Sequence, residues 1–244
     1  MKTRLDLKLV ELGLVNSRTR AQALVMEGKV RVDGQVERKA SRNVDEVNTI
    51  ELISPPRFVS RGGEKLEGAF KLFGLEVVGL VCLDVGSSTG GFTDCLLQHG
   101  AKKVMAVDVG TNQLAYSLRV DPRVWVKENF NARYMQSADL PETPSIAVTD
   151  VSFISLKLIL PPIVSVLAPG GRIVALIKPQ FEVGKGMAPG GLVKDSALRE
   201  QARDEIVRFA QEDLKLKLLG LDLSPIRGKE MGNIEYLSYW EKPL

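Results

Sequence analysis

The chain has 244 residues, 44% of them hydrophobic and 26% charged, a composition that supports one or two packed domains and excludes a disordered, collagen-like or disulfide-stapled chain. The net charge of +3 is too small to mark a nucleic-acid binder by itself. Its distribution is uneven: residues 1–60 carry 11 Lys+Arg against 8 Asp+Glu, while residues 61–244 carry 22 of each. Lys2, Arg4, Asp6 and Lys8 interrupt the start, where a secretory signal would need an apolar core. The longest uncharged apolar run, Leu158 to Gly171, contains three prolines and falls short of the roughly 20 residues of a membrane span. The expectation is a cytoplasmic protein with no membrane partner. Cys82 and Cys95 lie in apolar surroundings at a spacing that fits no metal or redox motif, so they read as reduced core thiols, and no metal site is expected.

In chain order, Leu5, Leu9 and Leu12 at i, i+4, i+7 predict a short helix ended by Gly13. Ser17 is placed to cap a second helix that turns Ala21, Leu24 and Val25 inward and Arg18 and Arg20 outward, with Gly28 to stop it. Val30 and Val32 alternate with Lys29 and Arg31, Asp33-Gly34 predicts a tight hairpin turn to Gln35-Val36, and Thr49 to Ile53 can complete a small sheet. Arg4, Lys8, Arg18, Arg20, Lys29, Arg31, Arg38, Lys39 and Arg42 recur every few residues. On charge alone that pattern suits a solvated face and a phosphate-contacting face equally. The runs Ser17-Arg18-Thr19-Arg20-Ala21 and Gly28-Lys29-Val30-Arg31-Val32-Asp33-Gly34 resemble the S-four RNA-binding domain. That resemblance implies a small α+β RNA-binding domain over residues 1–53, with Arg4, Arg18, Arg20, Lys29 and Arg31, and Arg61 beyond it, as RNA contacts. Ser54-Pro55-Pro56 breaks regular structure and places a linker at 54–62.

Residues 63–244 read as alternating strands and helices. Val81 to Val85, Val104 to Val107, Ile146 to Thr149 and Arg172 to Ile177 are short, β-branched runs with a polar residue where each stops or just before it: Asp84, Asp108, Asp150 and Lys178. Helical segments such as Phe92 to Gln98, Leu156 to Val166 and Ser196 to Gln211 lie between them. The pattern predicts an α/β fold with a doubly wound, Rossmann-like parallel sheet. Ligands of such sheets bind outside the carboxyl ends of the strands, where these four residues converge.

The turn Asp84-Val85-Gly86-Ser87-Ser88-Thr89-Gly90-Gly91-Phe92 brings backbone close to a ligand at a helix N-terminus. Ser88 stands where a nicotinamide-binding turn wants its second glycine, so a dehydrogenase is disfavoured. The acidic first residue and wider glycine spacing resemble the S-adenosylmethionine turn of class I methyltransferases. Asp108, 22 residues after Gly86, then suits the two ribose hydroxyls of an adenosine, or else caps a helix in a generic turn. Asn129 and Phe130 could flank the adenine, although an asparagine there also suits a plain turn.

A lysine ending an apolar strand is costly unless paired, and Asp150 from a neighbouring strand is its natural partner, in a structural ion pair or a functional one. Lys65, in the basic glycine-rich stretch Ser60 to Leu66, and Glu235, expected on a strand with Ile234 and Leu237, add two more charges. Lys65, Asp150, Lys178 and Glu235 in that order resemble the tetrad of FtsJ-type ribose 2'-O-methyltransferases. Together with Asp84 to Thr93, Asp150 to Ser155, Lys178 to Gly184 and the N-terminal domain, the chain is similar over its whole length to the TlyA (haemolysin A) family. Ser87, where that family has alanine, is the one departure. The resemblance implies S-adenosylmethionine-dependent methylation of a cytidine 2'-hydroxyl in ribosomal RNA, within small or large ribosomal subunits. Lys178 would touch the hydroxyl as base or as orienting donor, Asp150 and Glu235 would hold the lysines, and Lys65 would also favour the adjacent phosphate. The alternatives are a noncatalytic RNA-binding protein and a membrane-active haemolysin. The lone histidine, His99, reads as a surface residue.

Overall fold

The structure is a computed structural model and describes residues 2–15, 17–53, 57–184, 186–228 and 231–244. The predicted break at Ser54-Pro55-Pro56 lies outside the described residues. The chain forms two compact units, Met1–Arg57 and Phe58–Leu244.

The first unit runs β1 (Thr3–Arg4), α1 (Leu5–Glu11), α2 (Arg18–Met26), β2 (Val30–Val32), β3 (Gln35–Glu37), β4 (Asn43–Val44) and β5 (Ile50–Leu52). Ser17 caps α2 by accepting from the Arg20 amide, 3.3 Å away. Asp33 and Gly34 both take positive φ, which two-residue hairpins require to match strand twist, and they put Val32 opposite Gln35. β2 pairs on its other edge with β5. Leu5, Leu9, Ala21, Val25, Val30, Val32 and Val44 close the core. Leu12, expected on the buried face of α1, is exposed, because the helix has already ended at Glu11 and Val15 takes the inward place.

The second unit comprises α3 (Gly62–Phe73), β6 (Val81–Val85), α4 (Gly91–Gln98), β7 (Lys103–Val107), α5 (Tyr116–Arg119), β8 (Val124–Lys127), β9 (Ile146–Thr149), α6 (Leu156–Val166), β10 (Arg172–Ile177), α7 (Pro179–Glu182), α8 (Ser196–Glu212), β11 (Lys217–Leu223) and β12 (Tyr236–Glu241). Its sheet has the order β11-β12-β10-β9-β6-β7-β8. β8, β7, β6, β9 and β10 are parallel, while β12 and β11 are antiparallel additions beyond β10. The strand order reverses between β6 and β9, which is where such sheets bind ligands. Side chains of β6 alternate between two cores: Cys82 joins Leu66, Phe70 and Leu96 on the α3/α4 face, and Leu83 and Val85 join Ile159, Ile163 and Ile206 on the α6/α8 face. Full burial of each such leucine or isoleucine contributes roughly 1.5–3 kcal/mol. Both cysteines are buried thiols outside any disulfide. His99 is not a plain surface residue: its ring stacks on Phe70 at 3.7 Å and its Nε2 lies 2.8 Å from Glu67. Among the described residues no helix is long and apolar enough to cross a membrane.

Candidate active site

Four charged side chains reach one edge of the sheet for separate topological reasons. β9 and β10 run parallel and deliver Asp150 and Lys178 just past their carboxyl ends. β12 runs the other way, so the residue before its first strand position reaches the same edge. That residue is Glu235, which lies ahead of the strand and not within it as expected. Lys65 comes from the first turn of α3. A Cβ on Gly91 would lie 2.7 Å from the backbone nitrogen of Gly63, so only glycine lets the first turns of α3 and α4 touch.

The four charges form one network. Lys65 Nζ donates to Glu235 Oε2 at 2.7 Å and to Asp150 Oδ2 at 3.2 Å. Lys178 Nζ lies 2.6 Å from Asp150 Oδ1, an ion-pair contact bent away from hydrogen-bond geometry, and donates to Ser152 Oγ at 2.9 Å. Lys65, Lys178 and Glu235 are buried, at 8%, 7% and 3% exposure, and buried charges persist only when paired in this way. An ammonium has three donors. With one donor on Ser152 and Asp150 beside it, Lys178 keeps donor capacity for the cleft that it lines.

That cleft, open and about 820 Å³ in volume, is floored by the tetrad and walled by Gly86, Ser87, Ser88, Thr89, Gly91 and Phe92. Gly86 takes φ +82, and a Cβ there would meet Val151 Cγ1 at 2.9 Å. Asp84, Gly90, Asp108, Asn129 and Phe130 stand outside the lining. Asp84, two places beyond Cys82, shares its face and so meets α4, where its Oδ2 accepts from Thr93 Oγ1 at 2.6 Å. Its Oδ1 is buried without a hydrogen-bond partner among the described residues. Burial pushes the Asp84 carboxyl up to about 7, Thr93 opposes that rise, and Asp150 adds to it. The Asp108 oxygens accept from the Ser88 amide at 2.8 Å and the Gly110 amide at 2.7 Å, latching the glycine turn to the end of β7. Each oxygen keeps a second acceptor direction. Asn129 and Phe130 lie beside it through backbone bonds to Gly110 and Asp108, with the Phe130 ring under Lys127 Nζ at 4.2 Å.

Three residues without an assigned role in the sequence reading belong here: Thr93 under Asp84, Ser152 on Lys178, and Phe153. Phe153 is 84% exposed, takes φ +63, lies 5.1 Å from the Phe181 ring and lines the cleft. A positive φ is rare for an aromatic residue and clusters at functional sites. The sequence carries only a weak signal for it, an aromatic four places beyond an apolar strand.

Of the predicted RNA contacts, Arg20 and Arg31 are exposed and Lys29 is half-buried. Arg4 and Arg18 have a structural task. Both, with Gln22, donate to Asp6, which is fully buried and which they hold far below the usual carboxylate range, the Arg4 hydrogen bonds foremost. Half-exposed guanidinium edges remain on each. Arg61, in the second unit, lines the cleft and donates to the Arg227 carbonyl at 2.9 Å.

A glycine turn at the switch point, an acidic residue ending the next strand and a buried Lys-Asp-Lys-Glu network define a Rossmann-like methyltransferase. Residues 58–242 match the FtsJ-like methyltransferase family and residues 3–50 the S4 domain. The chain belongs to the TlyA/hemolysin family of these proteins. It is 44% identical over 238 residues to the 16S/23S rRNA (cytidine-2'-O)-methyltransferase TlyA of Mycobacterium tuberculosis, covering 96% of this chain and 88% of that relative. It is 44% identical over 239 residues to Hemolysin A of Brachyspira hyodysenteriae, covering 97% and 99%. A solved hemolysin candidate from Streptococcus thermophilus superposes with a TM-score of 0.76 at 44% identity, covering 99% of this chain and 89% of that one.

Proposed function

We propose that the chain methylates the 2'-hydroxyl of a cytidine in ribosomal RNA, with S-adenosylmethionine as donor and ribosomal subunits in the cytoplasm as the setting. The observation that carries this reading is the Lys65–Asp150–Lys178–Glu235 network on the floor of the cleft, beside a glycine turn at the switch point. The residues present suit the cofactor: Gly86, Ser87, Ser88, Thr89 and Gly91 line the cleft with nothing larger than a threonine ahead of the first turn of α4, and the orphaned Asp84 oxygen behind them is one that a ligand ammonium would satisfy through water. Gly86 to Phe92 would hold it, with Asp84, Asp108, Asn129 and Phe130 around them. The bound cofactor supplies a methyl already activated by its sulfonium.

What the chain must supply is position and a destination for one proton. Lys178 points its free tetrahedral position at the ribose hydroxyl, while Asp150 fixes its other side. Once that position has given its proton to solvent, it takes the hydroxyl proton as the methyl passes from sulfur to oxygen. Lys65, locked by Glu235, holds the second Asp150 oxygen and presents positive charge to a neighbouring phosphate. Phe153 offers a bare ring on which a base lifted out of its stack can lie, since unstacked bases pack on aromatic faces. In single-turnover transfer of labelled methyl to small and large subunits, the wild type should label ribose at cytidine and Lys178→Ala should fall by roughly 100-fold or more. A Lys178→Ala enzyme within a few-fold of wild type would remove this role, and label on a base would remove the 2'-hydroxyl.

A further inference from the structure

We infer that Asn233 is a positioning residue for methyl transfer, clamping the strap Gly191–Val193 to the segment that carries Glu235. The inference rests on the reaction proposed above. Asn233 is 5% exposed, and its amide is used at both ends: Nδ2 donates to the Gly191 carbonyl at 2.7 Å, and Oδ1 accepts from the Val193 amide at 3.1 Å. Facing one carbonyl and one N–H, the amide has a single satisfied orientation. Its own backbone is fixed as well, because its carbonyl accepts from the Gly228 amide at 2.9 Å.

The two segments so joined both line the cleft. Gly190 and Gly191 form a wall, and Asn233 and Glu235 continue from it to the floor. Two residues beyond the clamp, the Glu235 carbonyl accepts from the Ser224 amide at 2.8 Å and its carboxylate receives Lys65. Gly190, Gly191 and Gly232 all take positive φ, so neither segment is stiffened by side-chain preference and the amide bridge substitutes for that stiffness. Arg199 donates to the carbonyls of Val193 and Lys194, anchoring only the far end of the strap. Without Asn233, the wall and the Glu235 segment move independently, and Lys65 loses a fixed partner.

The chemistry allows a test that a purely structural residue would not pass. In Asn233→Asp the ionised carboxylate faces the Gly191 carbonyl with no donor. The protonated form has the donor and the acceptor of the native amide. Burial and the nearby Glu235 carboxylate favour that protonated form. The charged groups facing the clamp are Glu235 and Lys65 on the floor and Arg199 behind Val193, and dividing each variant rate by the wild-type rate at the same pH removes the pH dependence common to both. Single-turnover transfer at saturating subunits should fall by about tenfold or more in Asn233→Ala, with cofactor affinity near wild type; the two lost buried hydrogen bonds lower its melting temperature while leaving it folded at the assay temperature. The Asn233→Asp ratio should climb as pH falls, and the Asn233→Ala ratio should stay flat. An Asn233→Ala rate within a few-fold of wild type, or a flat Asn233→Asp ratio, overturns the proposal. Should wild type itself leave subunits unlabelled, the proposed reaction fails separately. Hydrogen exchange of the 190–195 segment then decides the clamp: protection lost in Asn233→Ala and regained by acidified Asn233→Asp upholds it, and unchanged exchange removes it.

Discussion

Asp84 is the residue whose environment most constrains the behaviour of the cofactor turn. Its carboxyl is raised to about 7 chiefly by burial, so the folded state takes up a proton that the unfolded chain releases near pH 4. Its contribution to stability is therefore best at low pH, declines as pH rises from about 4 to about 7, and levels off above. A ligand ammonium reverses the preference by stabilising the ionised form. Cofactor affinity measured by calorimetry should tighten by about tenfold between pH 6 and pH 8, and Asp84→Asn should lose that dependence; an equal slope in both proteins contradicts the assignment. The two tetrad lysines should also separate by stability. Lys65→Ala leaves Glu235, 3% exposed, without its ammonium and should cost roughly 3 kcal/mol in urea denaturation. Lys178→Ala leaves Asp150 paired with Lys65 and should cost clearly less, and the reverse order would mean that Glu235 does not depend on Lys65.

Among elements, α6 and α7 are joined by one carboxylate. Glu182 accepts from the Leu156 amide at 2.9 Å and from Ser155 Oγ at 2.5 Å, so the last residue of α7 caps the first turn of α6 and ties the Phe153 loop to the Phe181 segment. Glu182→Ala should lower stability by about 1–2 kcal/mol, as loss of a buried cap does, and slow methyl transfer while cofactor binding persists. Unchanged thermal denaturation and rate would show that the loops hold without it. These elements were legible to different degrees. Strands β6, β7, β9 and β10 are β-branched runs with a polar residue at the end, and the helix α6 matches its predicted bounds, so Asp150 and Lys178 could be placed from the chain alone. Glu235 was found but put within a strand, because the direction of β12 is fixed by its pairing with β10 and by nothing in its own residues. Asp108 shows the same limit: its position at a strand end is local, whereas its two backbone partners come from the folding of the turns around it. The Arg4 and Arg18 bonds to Asp6 were equally hidden, since a basic residue reads alike whether it meets an inner carboxylate or a phosphate.

For the whole molecule, the charge excess belongs to the first unit and the chemistry to the second. Arg20 and Arg31, exposed and outside the Asp6 network, are therefore the better probes of RNA contact than Arg18, whose reversal would set a carboxylate beside buried Asp6. Arg20→Glu with Arg31→Glu should weaken binding to ribosomal subunits and reduce the slope of affinity against salt by about 2, with cofactor affinity unchanged; a binding constant insensitive to both the reversals and salt would leave the first unit without this task. The antiparallel course of β12 also sets the order in which the molecule becomes competent. Lys65, Asp150 and Lys178 leave the translating ribosome earlier, and the carboxylate that fixes Lys65 is synthesised after all of them. A nascent chain can fold its first unit and its parallel strands in turn while the fourth charge is still uncoded. The four-charge network is therefore incomplete until β12 is translated and joins the sheet.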